Sequence, residues 1–380
     1  MLLWQKQSRQ VALRVAVAGD FLPSRDLTLP PQRDWQDMAS LLAPHFADVD
    51  IAIANLECPL GIGGLRPKTK LGLGAHFAGP IASLEYLSSL GVEIVGLANN
   101  HIYDFGEAGA VRTSRALLRR NMFAIGIGKS LSDHPDIGLW RGWKDIRVGF
   151  WAAAQGLNEL ASRKSGIEPA TRKRGAAAVE ELDRQGARLK IALLHLGLER
   201  TNLPDPEDVS LMRSLCQSGF DVVAAAHSHR ISGWDVVARP GRSDSFCFYG
   251  LGSLASNIIY SPLEREGLVV VLGVDSKGEI VRLEVRPVHL QDVGWGTVPD
   301  PSVAHKIEQR FTKLSQEIAS GEFASRFYSE VSRGFFHRHL RDFRTAIRNG
   351  GLRGAVLKMG RLRKRHLKRM IQAALNGASS

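Results

Sequence analysis

Six residues of this chain carry side chains that a divalent metal would accept: Asp20, Glu57, Asn100, His195, His227 and His229. Two carboxylates, one amide oxygen and three imidazoles suit borderline ions such as Mn²⁺, Fe²⁺ or Zn²⁺ better than Mg²⁺ or Ca²⁺, which favour oxygen cages. Two such ions bridged by one carboxylate would clamp a phosphoryl group, acidify a bound water and stabilise an in-line displacement. Taken singly, each residue also has a plainer explanation. Asp20 could close a turn or cap a helix. Glu57 could be an exposed acid at a strand end, and His195 a satisfied core histidine. The crowded loop NNHIYDFG (99–106) could be a network of side-chain-to-backbone turns. The pair His227 and His229 is stronger, because alternate positions on an extended segment face the same way.

For residues so far apart to meet, regular elements must deliver them. LRVAVAGD (13–20) reads as a buried strand ending in Asp20, and VDIAIANLE (49–57) as another ending in Glu57. VEIVGLANNH (92–101) ends at Asn100 and His101, LKIALLHLG (189–197) carries His195, and FDVVAAAHSH (220–229) delivers His227 and His229. Helical patterns lie between them at 35–46, 81–90, 109–120, 176–185 and 208–218. Such alternation is the mark of an α/β layered domain, whose ligands bind in the crevice beyond the carboxyl ends of the strands. From Ser245 the pattern turns to strands separated by turns, with Gly278 in the turn of a hairpin, and Pro301–Gly321 is helical again.

The chain has 380 residues, 44% of them hydrophobic, enough for one large domain and an appendage. Its net charge of +12 is concentrated at one end. Between Val331 and Met370 stand 13 Lys or Arg against one acid, Asp342, while the remainder is balanced. The apolar stretches are too short to span a bilayer, and the N-terminus lacks the long apolar core of a signal peptide. Cys58, Cys216 and Cys247 are scattered and odd in number, which suits a reducing compartment without structural disulfides. The expected location is therefore cytoplasmic, with peripheral attachment to the inner face of the membrane through the tail. There Leu340, Phe343 and Ile347, and again Leu352, Val356 and Met359, fall at helical spacing among the bases. Nucleic acid is not the expected partner, since aromatic residues are few in the tail and no recognition motif is present. Cutting the chain at about Asp300 is expected to leave the main domain folded.

The blocks AVAGDFLPSRDL, DVDIAIANLECPLG, VGLANNHIYDFGEAG, ALLHLGLE, GFDVVAAAHSHR and YGLGSLASN resemble, in this order, the successive motifs of the CapA family of capsule and poly-γ-glutamate synthesis proteins. The match runs over residues 12–290, and the NLE and NNHxxDxG blocks are its specific parts. The order acid, acid, Asn-His, His, His-x-His is also that of calcineurin-like phosphoesterases. The resemblance implies a metallophosphoesterase-like α/β/β/α sandwich of two sheets flanked by helices over 12–290, followed by a basic helical extension over 301–380. It implies two divalent ions, one held by Asp20 and His229, the other by Asn100, His195 and His227, with Glu57 as the bridge. His101 would be a general acid or a clamp on developing charge, oriented by Asp104, and Glu199 would support a ligand from behind.

Four blocks depart from the pattern. Leu22 stands where many calcineurin-like enzymes have a histidine, Leu196 where Trp is usual, Ala226-His227-Ser228-His229 where a Gly-His-x-Pro-His style block is usual, and Ser253-Leu254 where Asn-Phe is usual. The activity implied is metal-dependent hydrolysis, most directly of a phosphoester, in the synthesis or export of an anionic capsule polymer. Its substrate would be a phosphorylated or anionic polymer-related molecule. Two alternatives stay open: a non-enzymatic scaffold in a polymer synthase complex, and a metal-independent, epimerase-like enzyme on the same fold.

Overall fold

The computed structural model describes residues 1–331 apart from 7–8, 25–26, 69–74, 129–134, 142–145 and 156–165, together with positions 344, 347 and 348. The amphipathic segments expected in the tail, with Leu340, Phe343, Leu352, Val356 and Met359, lie outside the described residues.

The larger sheet has nine strands. Five precede the chain's midpoint: β1 (Leu2–Gln5), β2 (Leu13–Leu22), β3 (Ile51–Leu56), β4 (Val92–Gly96) and β5 (Phe123–Ile125). A short pair, β6 (Ile127–Gly128) and β9 (Gly166–Ile167), stands apart. The six-stranded sheet contains β7 (Ile137–Arg141), β8 (Arg147–Ala154), β10 (Leu189–His195), β11 (Val222–Ala226), β12 (Trp234–Val237) and β13 (Ser245–Phe248). The chain then returns to the first sheet with β14 (Ser253–Ser256), β15 (Glu266–Val274), β16 (Ile280–Leu290) and β17 (Gly296–Thr297). The strand orders are β1-β16-β15-β2-β3-β4-β5, with β14 on β2 and β17 on β16, and β12-β13-β11-β10-β8-β7.

Helices α1 (Trp35–Ser40), α2 (Leu84–Ser89) and α3 (Gly106–Leu118) belong to the connections of the first sheet. Helices α4 (Arg172–Arg184), α5 (Pro206–Ser218) and α6 (Pro301–Ser320) cover the second, and α7 (Glu322–Arg326) follows. The α/β sandwich of two sheets flanked by helices is therefore the observed architecture. Period-two alternation explains how one sheet serves two interfaces. Along β10, Leu189, Ile191 and Leu193 join the core between the sheets, while Ala192 and Leu194 join the core under α4 and α5. Continuing the count, His195 falls on the face that looks toward the first sheet.

The strands read from the sequence are present, with two that end early. β4 stops at Gly96 rather than running to His101, because the Asn99 side chain accepts from the amides of His101 (3.1 Å) and Ile102 (2.9 Å) and turns the chain. β11 stops at Ala226, since His227 has φ +100° and His229 φ +54°. Gly278 turns the hairpin between β15 and β16 at φ +86°. Strands β7 and β8 were not evident in the sequence, although β8 pairs in parallel with β10 along its whole length. Cys216 on α5 and Cys247 on β13, distant in sequence, bring their sulfurs to 3.3 Å in the core, and all three cysteines are free.

Helix α6 begins as its sequence dictates. The Asp300 side chain accepts from the amides of Ser302 and Val303, Pro301 takes the first turn, and Gly321 ends the helix at φ +80°. The helix is not an appendage, however. Ile307 and Phe311 enter the core between the sheets, while Leu314 and Ile318 enter the core beneath the second sheet. Burying four such side chains stabilises by about 6–12 kcal/mol, as large as the whole margin of about 5–15 kcal/mol of a folded domain. Truncation after Asp300 is therefore expected to unfold the protein, correcting the expectation from sequence. Truncation after Val331 spares all four of these side chains, so a circular dichroism melt should show the form ending at Asp300 far less stable than the form ending at Val331.

Candidate metal centre

The six donors converge at one pole of the sandwich, where the carboxyl ends of β2, β3, β10 and β11 meet. Each is aimed by a local device. Between Val17 and Asp20, β2 carries an extra residue relative to β3, a bulge that changes which face Asp20 presents. Gly19 is required there, because a Cβ would lie 2.0 Å from the Gly252 carbonyl oxygen. Glu57 follows the last residue of β3 and is fully buried, so it is not the exposed strand-end acid considered above. His195 is flanked in register by Ala154 and Ala226, whose small side chains leave room for imidazole rings. His227 and His229 do converge on the site, but through a left-handed turn and not through extended alternation.

Glu57 lies at the middle of the cluster. Its Oε1 is 3.3 Å from His195 Nε2, and its Oε2 is 3.8 Å from His229 Nε2. Donor atoms of Glu57, His195 and His227 lie within 4.8 Å of one another, as do those of Asp20, Glu57 and His229. Asp20 Oδ2 accepts from the His227 amide at 2.9 Å and lies 3.6 Å from His229 Nδ1. Asn100 Oδ1 is 2.8 Å from His195 Nε2, and the rings of His195 and His227 are 4.4 Å apart. Beside them, His101 Nδ1 meets Asp104 Oδ2 at 2.8 Å, and the same oxygen accepts from the Phe77 amide at 2.9 Å. The Phe77 ring stands edge-on to His101, 4.6 Å between centroids.

The electrostatics of this arrangement suit a cation. Burial, and then the charge of Glu57, pushes Asp20 up to about 7 against the pull of His195, the His227 amide and Asn55. Burial, followed by Glu199 and Asp104, drives Glu57 well above the usual carboxylate range. Burial also pushes His195 and His229 down to about 4 and His227 to about 3. Neutral imidazoles have the lone pairs that ligation needs. Neither oxygen of Glu57, nor Nδ1 of His227, has a hydrogen-bond partner among the described residues. Buried polar atoms are seldom left so. The donor set therefore fits divalent ions, with Glu57 common to both clusters.

Several contributors escaped the sequence reading. Asn55 donates to Asp20 Oδ1 at 2.7 Å and approaches His195 Nδ1 at 3.3 Å, linking acid to imidazole. Asn99 donates to the Leu56 carbonyl at 2.8 Å and so ties the Asn100–His101 loop to the strand before Glu57. Ser253 Oγ lies 3.4 Å from His229 Nδ1, a role its position in the YGLGSLASN block could have suggested. Of the departures, Leu22 is buried in the core and brings no donor, and Leu196 joins the core under the second sheet. Glu199, four residues after His195, is exposed. Desolvation would raise it, yet His227, His229, His101 and Arg200 hold it below its usual range.

The two-sheet α/β sandwich thus gathers acids and imidazoles at its strand tips into a candidate divalent-metal centre. The chain belongs to the family described as bacterial capsule synthesis protein PGA_cap, whose signature matches residues 14–258. It is similar to the capsule biosynthesis protein CapA of Bacillus anthracis, 21% identical over 88% of this chain and 80% of that one. It is also similar to the PGA biosynthesis protein CapA of Bacillus subtilis strain 168, 22% identical over 80% of this chain and 78% of that one. Among solved structures, the 5′-nucleotidase precursor from Thermus thermophilus aligns with 81% of this chain and 59% of its own. Its TM-score is 0.48 and its identity 14%.

Ion binding here must displace protons from carboxylates and not from the imidazoles of His195, His227 and His229, which burial already leaves neutral above about pH 4. Asp20, raised to about 7, is protonated below that value in the metal-free protein, so affinity should fall as pH drops below 7. Titrating Mn²⁺ into chelator-stripped protein should show at least about tenfold weaker binding at pH 6 than at pH 8. A flat profile would mean that these carboxylates are not ligands.

Proposed function

We propose that this protein is a metal-dependent phosphoesterase acting in the synthesis or export of an anionic capsule polymer. The observation that carries the reading is Glu57: a fully buried carboxylate with neither oxygen hydrogen-bonded among the described residues, set between His195 and His229. Asp20 and His229 would hold one ion, Asn100, His195 and His227 the other, and Glu57 both. Ions so held polarise a phosphoryl oxygen and acidify water. The remaining roles belong to the chain itself. Asp104, fixed by the Phe77 amide, accepts from Nδ1 of His101 and holds the ring, so the proton His101 exchanges with a leaving oxygen sits at Nε2. Asn55 and Ser253 keep Asp20 and His229 in place from behind.

Family membership supports the capsule context. The names of the two CapA relatives support a polymer substrate, poly-γ-glutamate in the Bacillus subtilis case if its "PGA" is read so. Among the described residues no helix is long and apolar enough to cross a membrane. Attachment to the cytoplasmic face through the basic tail is part of the proposal. Its motive is the 13 bases between Val331 and Met370, each contributing about 1 kcal/mol near anionic lipid.

Glu57→Gln tests the centre directly. An amide cannot bridge two cations as a carboxylate does. The variant should fold normally yet lose bound metal, and hydrolysis of a generic aryl phosphate should fall at least about 100-fold, since even the residues behind a ligand cost 10–100-fold. Full metal content and full rate in the variant would rule Glu57 out as the bridge. Wild-type protein that holds metal but hydrolyses nothing would point to the scaffold, and an active metal-free sample to the epimerase-like alternative.

The tail has its own test. Full-length protein should bind vesicles rich in anionic lipid and lose that binding as salt shortens the screening length to about 8 Å at physiological ionic strength. The form ending at Val331 should not bind. Equal binding by the two forms would remove the tail from the proposal.

A further inference from the structure

Two arginines adjoin the turn that carries His227 and His229, and they are in opposite states. Arg230 is engaged: its guanidinium donates to Glu264 Oε1 at 2.6 and 2.9 Å and to Ser261 Oγ at 3.1 Å. Arg200 is not. Among the described residues its side chain makes no hydrogen bond or ion pair, and its Nε is buried without an acceptor. A buried guanidinium donor with nothing to donate to calls for a partner.

Three features hold that idle cation in place. Its backbone sits at φ +64°, a conformation that residues with side chains adopt at a cost and that clusters at functional sites. Its amide donates to the Ser228 carbonyl at 2.8 Å, the carbonyl between the two candidate ligand histidines. Its guanidinium lies over the Tyr260 ring, 3.5 Å from the centroid, while Tyr260 itself is largely exposed. Stacking on an aromatic face fixes the plane of the guanidinium and leaves its N–H edge available.

We propose that Arg200 is the residue by which the cleft recognises an oxyanion of its substrate, a phosphoryl or carboxylate group presented beside the metal centre. The inference rests on reading that cleft as the substrate site. A planar fork held over the Tyr260 ring matches the paired oxygens of either group, and a lysine in its place would not. Arg200 is on this view a specificity residue, distinct from the groups that hold metal or exchange protons.

The test uses full-length, Mn²⁺-loaded protein titrated calorimetrically with inorganic phosphate and, separately, with γ-linked tetraglutamate. Arg200→Gln should weaken binding of one of the two about 10- to 100-fold, the range for losing hydrogen bonds to a charged group. Its manganese content should remain that of the wild type. The ligand that shows the loss identifies the oxyanion. Arg200→Lys, which keeps the charge without the fork, should fall between, and serves alone if Arg200→Gln does not fold. Equal affinities in wild type and variants, or no binding of either ligand by the wild type, would overturn the assignment. So would loss of manganese from the variant, which would make Arg200 a prop for the histidine turn. If the wild type takes up no manganese, the metal reading fails by itself, and the same titrations on metal-free protein still decide Arg200.

Discussion

Asp20 and Glu57 bury two carboxylates in one cluster, and a buried pair of like charges persists only if protons or cations neutralise it. Hydrogen bonds do not solve the problem here. Asp20 receives two, from Asn55 and the His227 amide, yet is still pushed up to about 7. The Glu57 carboxylate receives none among the described residues. The imidazoles around them offer no counter-charge either, because the same burial keeps them neutral. Burial thus prepares both kinds of group for the same occupant: it makes the acids eager for a cation and leaves the histidines with lone pairs to share. The rest of the molecule can be understood as the scaffold that holds this unbalanced set together.

That scaffold must hold donors from two separate sheets at distances where small errors matter. The sandwich does so by fixing the sheets through their shared core and placing irregular backbone only at the tips. The bulge before Asp20, the early ends of β4 and β11, and the left-handed residues at 227 and 229 all lie within the cluster or one turn from it. Each would weaken a strand interior, but at a strand end it removes little pairing. The stabilisation that offsets them comes from elsewhere, from β3, β10, β11 and β15, buried throughout, from β2, buried at all but Arg14, and from α6, which ties both cores.

How much of this could be read from the sequence follows the range of the interactions involved. The strand runs and the donors at their ends were legible because alternation and apolar runs are local properties, and because carboxylates and histidines are conspicuous after a buried strand. β8 was not, since RVGFWAAA ends in alanines and carries no metal-competent side chain. Its place beside His195 is visible only once the sheet is assembled. Asn55 in β3 and Asn99 in the turn after β4 act across strand boundaries, and an asparagine announces nothing about whom it will bond. The arrival of His227 and His229 was expected for a reason that does not operate, because nothing in Ala-His-Ser-His reveals two positive φ angles. The packing of α6 was hidden likewise: its period is that of any amphipathic helix, and only the fold shows that both cores need it.

The departures from the phosphoesterase pattern acquire a physical meaning in this setting. On the proposed assignment, Glu57, Asn100, His195 and His227 supply one ion with four protein donors. Glu57, Asp20 and His229 supply the other with three, because Leu22 turns into the core where many relatives by pattern have a histidine. The two positions are therefore unequal in this chain. The three-donor position also contains the acid whose proton must leave near neutral pH, so it is the one more exposed to competition from protons. Fewer protein ligands leave more coordination to substrate or water, as in catalytic sites that keep an open position. An anion fixed by Arg200 at the rim would then complete the weaker position as it binds. Metal occupancy and substrate recognition would in that case be coupled through one cleft, by a guanidinium whose Nε has no hydrogen-bond acceptor among the described residues.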